Sequence, residues 1–149
     1  MTEQANNTIE EYFNKLPDAL LNFQFIEEFL RMYISYSYEI ISLSVSPYIP
    51  FKYSYKDLEK NALGKLVSEF KKLNKNEEVT KKIEKIIKDR NYCAHEAYLL
   101  TSEQQNDPEY LSKEIAKLEK IVRKAKECLK GISAEVKRVE GIRNSLKKS

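Results

Sequence analysis

The chain has 149 residues, of which 42% are hydrophobic and 33% are charged, a balance typical of one soluble globular domain. Three glycines and four prolines leave few places for tight turns, so long helices with short connections are expected. The two cysteines are far apart without CxxC spacing, which disfavours a disulfide framework. No signal-peptide pattern and no uncharged run of about 18 apolar residues occurs. A cytoplasmic protein without a membrane segment is therefore expected.

The net charge of +3 is unevenly distributed along the sequence. Residues 1–50 carry seven acids and two bases, whereas residues 51–149 carry sixteen acids and twenty-four bases. A basic C-terminal two-thirds permits contact with a polyanion such as RNA. Lysine-rich solvent faces are also common on helical proteins, so the charge alone leaves both interpretations open.

Two helices are predicted at the N-terminal end. Thr8 and Glu11 have capping-box spacing, which favours a short helix within residues 1–17 that ends near Pro17. The following segment, residues 18–46, is the most apolar of the chain and predicts a helix whose apolar arc is too wide for one neighbour. That helix is either the centre of a bundle or part of a dimer interface.

Two middle helices follow a loop that contains Pro47 and Pro50. The first is predicted over residues 56–73. A polar turn at residues 74–78 then supplies a cap and acids for the first turn of the next helix. This helix is predicted to continue to about Thr101.

A long final helix is predicted from Pro108 to Lys147. Asp107 and Pro108 form a strong start signal, and an unbroken helix would be about 60 Å long. Apolar residues then recur at alternating steps of four and three, a coiled-coil-like seam formed by Leu111, Ile115, Leu118, Val122, Ala125, Leu129, Ile132, Val136 and Val139. The other predicted helices reach only about 40 Å. Either Gly131 interrupts this helix, or residues 131–149 project beyond the bundle.

The candidate site lies near the end of the third long helix, where His95 is the only histidine of the chain. On a helical wheel Arg90 falls within the apolar stripe, and Asn91, Tyr98 and His95 follow on one flank. The stripe is formed by Val79, Ile83, Ile86, Ile87, Ala94 and Ala97. Because an isolated buried charge is costly, an arginine there must be paired, hydrated or at an interface. Such a break in pattern often marks a functional position.

A purely structural interpretation of the same residues stays open. Arg90 would then reach a carboxylate such as Glu28 or Glu39, and His95 would be an ordinary surface residue. An arginine and a histidine five residues apart also occur together by chance.

The segment Arg90-Asn91-Tyr92-Cys93-Ala94-His95 resembles the R-x4-H signature of HEPN domains, including the polar residue directly after the arginine. HEPN domains are α-helical bundles of about this size, with the motif near the end of a late helix that precedes another long helix. The resemblance covers six residues as a motif and most of the chain in the order of helices. It implies one all-α domain over residues 1–149, an antiparallel bundle of four to five helices with a long C-terminal helix.

The resemblance also implies a metal-independent endoribonuclease that needs no cofactor and acts as a homodimer with a composite active site. His95 would act on the ribose 2′-OH, Arg90 would stabilise the phosphate charge, and Asn91 would orient the histidine or bind phosphate. An imidazole, which titrates near pH 6.5, and a guanidinium fork suit these roles. Further candidate contacts to the RNA are Tyr92, Tyr98 and Lys88.

One position departs from a related pattern. In HEPN toxins with a nucleotidyltransferase antitoxin, a tyrosine that becomes modified often follows the histidine by two residues. Here Ala97 holds that place and Tyr98 comes one residue later, so this type of inactivation is in doubt. A toxin or antiviral effector restrained by another antitoxin or partner protein is the leading hypothesis. The alternatives are a non-catalytic helical interaction module, as in a regulatory HEPN subunit of a larger complex, and a plain bundle with a coincidental motif.

Overall fold

The computed structural model describes residues 3–149, apart from the side chain of Ala5, and over this range it is all-α, with six α-helices and one π-turn. The helices are α1 (Glu3–Val45), α2 (Tyr55–Glu59), α3 (Leu63–Leu73), α4 (Glu77–Asn91), α5 (Ser102–Gln105) and α6 (Pro108–Lys147), and the π-turn spans Tyr92–Glu96. The predicted fold class, a helical bundle with a long C-terminal helix, is confirmed. No helix within these residues is both long and apolar enough to cross a membrane.

The helices form two compact units, each with its own buried apolar residues. Within the described residues, unit 1 comprises 3–24 and 85–127, and unit 2 comprises 25–84 and 128–149. The core of unit 1 is built from Tyr12, Leu16, Ala19, Phe23, Ile86, Cys93, Ala97, Leu111, Ile115, Leu118, Ile121 and Ala125. The core of unit 2 contains, among others, Ile26, Leu30, Tyr33, Ile34, Leu66, Phe70, Ile83, Ile132 and Val136. The helices α1, α4 and α6 each contribute to both units.

The predicted helix end near Pro17 is wrong, because α1 continues through this proline. Proline removes one backbone N–H from the helical ladder and therefore leaves the carbonyl of Phe13 without its usual partner. Pro17 lies on the exposed side of α1, where water can reach the backbone, while its neighbours Leu16 and Ala19 are buried. Packing of this buried side outweighs the local cost. Residues 1 and 2 of the predicted short helix lie outside the described range.

The predicted second helix, residues 56–73, is divided into α2 and α3. The buried Arg31 of α1 occupies the break: its Nε donates to the Leu58 carbonyl at 3.1 Å and its Nη2 to the Asn61 carbonyl at 3.1 Å. Carbonyls at a helix end need such partners. The guanidinium also contacts Glu27 and Glu28, at 3.6 and 2.6 Å. A cation on another helix thus stabilises a break that local sequence does not reveal.

The final helix is continuous, so the predicted alternative of an interruption at Gly131 is wrong. Its C-terminal third packs within unit 2 instead of projecting: Val139 is buried, and Arg143 and Lys147 pair with Glu39 of α1 at 3.5 and 3.4 Å. The final helix is predicted to be longer than every other helix, but this difference disappears because α1 has 43 residues and α6 has 40.

The apolar seam of α6 is buried at seven of its nine predicted positions. At the other two, Val122 and Leu129 are only half-buried, and the preceding residues Ile121 and Cys128 are buried instead. An α-helix with 3.6 residues per turn drifts away from a strict repeat of 3.5, so the inward position moves by one residue along a long helix.

Candidate functional site

The R-x4-H segment contains a π-turn. The N–H of Ala97 donates to the carbonyl of Tyr92 at 2.9 Å, a hydrogen bond between residues five apart. The predicted continuation of the helix to Thr101 is therefore wrong. Thr101 instead caps α5, where its side chain accepts a hydrogen bond from the N–H of Gln104 at 3.1 Å. The π-turn therefore ends the helix that begins as α4, and π-turns occur at the C-termini of helices.

The π-turn changes the expected geometry of Arg90 and His95. On a regular α-helix, residues five apart point about 140° away from each other. Hydrogen bonds of a π-turn span five residues, so the wider turn reduces this angle. Asn91 and His95 are exposed, and Arg90 is half-buried rather than buried as the wheel predicts. The buried side of this segment is taken by Cys93 and Ala97.

Arg90 and Asn91 are in direct contact, since Nη1 of the arginine donates to Oδ1 of the asparagine at 3.3 Å. The two carboxylates that the sequence offers as alternative partners bind other cations. Glu28 pairs with Arg31, and Glu39 pairs with cations of α6. Two of the three predicted catalytic residues are thus joined, and the third, His95, presents its imidazole to solvent from the same turn.

The candidate RNA contacts differ in their environment. Lys88 is exposed, and Tyr98 is 48% exposed with its ring stacked on Phe13 at a centroid distance of 6.5 Å. Tyr92 is half-buried, and its hydroxyl donates to the carboxylate of Glu114 on α6. Burial and this hydrogen bond raise the pKa of Tyr92. The hydroxyl of Tyr92 is directed into the protein, whereas the other two side chains are available to a ligand.

A second cation lies at the ring of Tyr92. The Nζ of Lys117 on α6 stands 3.6 Å from the centroid of the ring, a cation–π contact. Together with the Glu114 hydrogen bond, this contact attaches the first residue of the π-turn to α6.

Tyr12 is a further residue of this site that the sequence does not reveal. It is fully buried on α1, and its hydroxyl donates to the carbonyl of Ala97 at 2.5 Å. Burial raises the pKa of Tyr12 to about 12, so the hydroxyl keeps its proton and remains a donor. Tyr12 lies four residues before Leu16, and this spacing of apolar residues predicts only that Tyr12 is a core residue. The local sequence does not reveal its contact with Ala97, which lies 85 residues later in the chain.

Cys93 lies inside the motif but is suited to packing. The side chain is fully buried, and burial raises the pKa of its thiol to about 11, which keeps it protonated at neutral pH. Across residues 3–149 no group of three or more His, Cys, Asp or Glu side chains is arranged to hold a metal ion. Arg90, Asn91, His95 and Glu96 supply polar side chains at and directly before this turn.

An apolar surface lies beside the motif. Phe13 is 37% exposed next to Tyr98, and Leu99, three residues after the π-turn, is 74% exposed. Exposed apolar side chains in such proximity are typical of a surface that contacts a partner.

Comparisons of the chain with protein-family models, with curated proteins and with solved structures find no match.

Proposed function

We propose that this protein is a metal-independent endoribonuclease of the HEPN type. The observation that carries the proposal is the position of Arg90 and Asn91 at the end of α4 and of His95 in the π-turn that directly follows, with the asparagine and the sole histidine exposed. A guanidinium and an imidazole on one accessible turn are suited to bind a phosphodiester and to move a proton next to it.

In the proposed reaction His95 accepts the proton of a ribose 2′-OH. The 2′ oxygen forms a bond to the adjacent phosphorus, the bond from phosphorus to the 5′ oxygen breaks, and the leaving oxygen takes up a proton. The products are a 2′,3′-cyclic phosphate and a 5′-OH end. Arg90 offers fixed N–H donors to the phosphate oxygens as charge develops in the transition state. Asn91, already bound to Arg90, keeps the guanidinium oriented.

The proposed active form is a homodimer in which the motifs of two copies meet at a two-fold axis. The apolar surface of Phe13, Tyr98 and Leu99 beside the motif supports this proposal. Light scattering is expected to give twice the monomer mass of 17.5 kDa at micromolar concentration. A cytoplasmic toxin or antiviral effector, restrained by an antitoxin or another partner protein, is the corresponding role.

The same apolar surface favours one alternative, a non-catalytic interaction module. In that case the exposed Leu99 and the stacked pair of Phe13 and Tyr98 bind a partner protein, and the motif contributes polar contacts at the edge of the interface. The module and the enzyme predict different results in one assay.

The assay is incubation of the purified protein with mixed tRNA and single-stranded RNA in EDTA, beside His95→Ala. An Arg123→Ala variant, which removes an exposed arginine of α6, serves as the charge control. We expect wild type and control to cleave and His95→Ala to be roughly 10²–10⁴-fold slower, the usual contribution of general acid–base catalysis. Equal cleavage by His95→Ala would contradict the catalytic assignment. No cleavage by wild type would favour the interaction module.

A further inference from the structure

The two ends of the π-turn are attached to two different helices. At one end the hydroxyl of Tyr12 from α1 binds the carbonyl of Ala97, and at the other the hydroxyl of Tyr92 binds Glu114 of α6. We propose that these three side chains, Tyr12, Tyr92 and Glu114, form a tyrosine clamp that positions His95 relative to Arg90. This inference rests on the proposed ribonuclease function and assigns positioning residues to it.

The first part of the clamp acts on Ala97, the residue that closes the π-turn. Its N–H donates to the carbonyl of Tyr92, and its own carbonyl accepts from Tyr12. The last carbonyls of a helix have no partner within the helix, and a buried carbonyl without one is costly. Tyr12 satisfies this carbonyl and fixes the position of the residue directly after the π-turn.

The second part of the clamp acts on Tyr92, where the π-turn begins. Its carbonyl receives the turn's hydrogen bond, while its side chain is held by Glu114 and covered by Lys117. The backbone hydrogen bond and the side-chain anchor therefore meet at one residue.

A helix can end in a π-turn or continue in α-helical geometry, and the two anchors favour the π-turn for residues 92–96 because each holds one of its ends. His95 lies between the two anchored residues and is itself exposed. If an anchor is lost, residues 92–96 can return to a regular α-helix, in which His95 turns away from Arg90 toward the 140° separation of an ideal helix. Displacement of a catalytic group by about 1 Å can slow a reaction about 100-fold.

Unit 2 supplies a matched control. Tyr33 is also a buried tyrosine of α1, and its hydroxyl donates to the carbonyl of Leu73, the last residue of α3, at 2.8 Å. Tyr12→Phe and Tyr33→Phe each delete a tyrosine hydroxyl of α1 that donates to a backbone carbonyl, and the Tyr33 hydroxyl in addition accepts from the amide of Asn74. Only the first deletion acts on the motif, so any difference between them beyond stability reports on positioning.

The test combines steady-state RNA cleavage with NMR of the imidazole, which gives a single signal because the chain has one histidine. For Tyr12→Phe we expect kcat to fall 10- to 100-fold with KM changed less than 2-fold, and the His95 signal to move. For Tyr33→Phe we expect kcat, KM and the signal of wild type. Equal rates and equal spectra for the two variants would overturn the clamp.

The Glu114 anchor allows a rescue experiment. Glu114→Gln keeps an oxygen that accepts from Tyr92 and should retain at least half of the wild-type kcat, whereas Glu114→Ala should behave like Tyr12→Phe. Equal loss in both Glu114 variants would show that the charge, not the anchor, matters, and would contradict this part of the clamp.

Failure of the two proposals can be told apart. If wild type cleaves no RNA but the His95 signal moves only in Tyr12→Phe and Glu114→Ala, the ribonuclease function fails and the clamp on the turn stands. If wild type cleaves RNA and Tyr12→Phe is indistinguishable from Tyr33→Phe, the clamp fails and the ribonuclease stands.

Discussion

Both units contain a buried tyrosine of α1 that binds the end of another helical segment, but the two segments differ in what they expose. In each, a buried tyrosine, Tyr12 or Tyr33, donates its hydroxyl to a backbone carbonyl at the end of a helical segment. In unit 2 the segment that follows is closed by Asn74, whose amide donates to the Tyr33 hydroxyl and to Glu135 of α6. In unit 1 the segment held by Tyr12 presents His95 to solvent. The candidate site therefore differs from the corresponding place in unit 2, because its buried tyrosine holds a turn whose polar side chains are exposed.

Two arginines, Arg31 of α1 and Arg90 of α4, differ in their surroundings in the same way. Arg31 is buried and binds two carboxylates and two backbone carbonyls, which uses its guanidinium for the fold. Arg90 is half-buried and donates to the exposed Asn91. A buried or half-buried arginine on a helix therefore does not indicate function by itself. Its surroundings decide whether it closes a helix break or serves an accessible surface.

The largest effect on stability is expected from Arg31→Ala. The substitution removes a buried cation beside Glu27 and takes one donor from each of two carbonyls, of which that of Leu58 still accepts from the N–H of Asn61, so unfolding should become easier by about 3 kcal/mol, the low end of the range for breaking a buried pair. Glu28 is largely exposed and can turn to water, which limits the cost. Urea unfolding measures the change, and Arg123→Ala should stay within about 0.5 kcal/mol of wild type. A loss below 1 kcal/mol would show that Arg31 does not hold the break between α2 and α3.

Arg90→Ala is expected to lower activity strongly and stability little, the reverse of the effect expected for Arg31→Ala. Loss of a donor to the transition-state phosphate should lower kcat about 100- to 1000-fold, while the free energy of unfolding changes by less than about 1 kcal/mol. RNA cleavage and urea unfolding of the same preparation separate the two effects. A variant that is strongly destabilised and cleaves at the rate expected for its folded fraction would assign Arg90 to the fold, like Arg31.

Features encoded by neighbouring residues were predictable. The start of α6 follows from Asp107 and Pro108, and the carboxamide of Asn76 receives the N–H of Val79 at the start of α4, as the polar turn predicts. The apolar period of α6 predicted most of its buried face, because periodicity depends only on local spacing. The composition of the chain and these periods together predicted the fold class.

Features that depend on distant partners were not predictable. The break between α2 and α3 depends on Arg31, which lies 27 residues before the Leu58 carbonyl that it binds. The π-turn depends on Tyr12, 85 residues before Ala97. The motif pointed to the site because its residues are adjacent in sequence, but the geometry of the turn comes from other helices. Continuity through Pro17 likewise reflects tertiary packing that overrides a local stop signal.

The stability effects of Tyr12→Phe and Tyr33→Phe are expected to be smaller and nearly equal. Each leaves a carbonyl without its donor, and the amide of Asn74 keeps its bond to Glu135 when the Tyr33 hydroxyl is lost, so each should cost about 1–2 kcal/mol in the free energy of unfolding. Urea unfolding of both variants checks this. The equality matters, because it makes the difference in activity between the two variants independent of stability. If Tyr33→Phe alone were destabilising, the Tyr12 hydrogen bond would contribute little and could not hold the turn.

The smallest predicted effect is a pH dependence that belongs to Tyr12. Its pKa is raised by burial from the ordinary value of 10.0 to about 12, so between these values the folded state retains a proton that the unfolded chain has lost. Stability from this group is therefore complete below pH 10 and falls as the pH rises toward 12. At pH 11 the loss should be about 1 kcal/mol in wild type and absent in Tyr12→Phe. Lysine deprotonation affects both proteins alike, so the gap in unfolding free energy between them should narrow from pH 9 to pH 11. An unchanged gap would mean that the Tyr12 hydroxyl is hydrated, which is incompatible with its bond to Ala97 as a buried anchor of the turn.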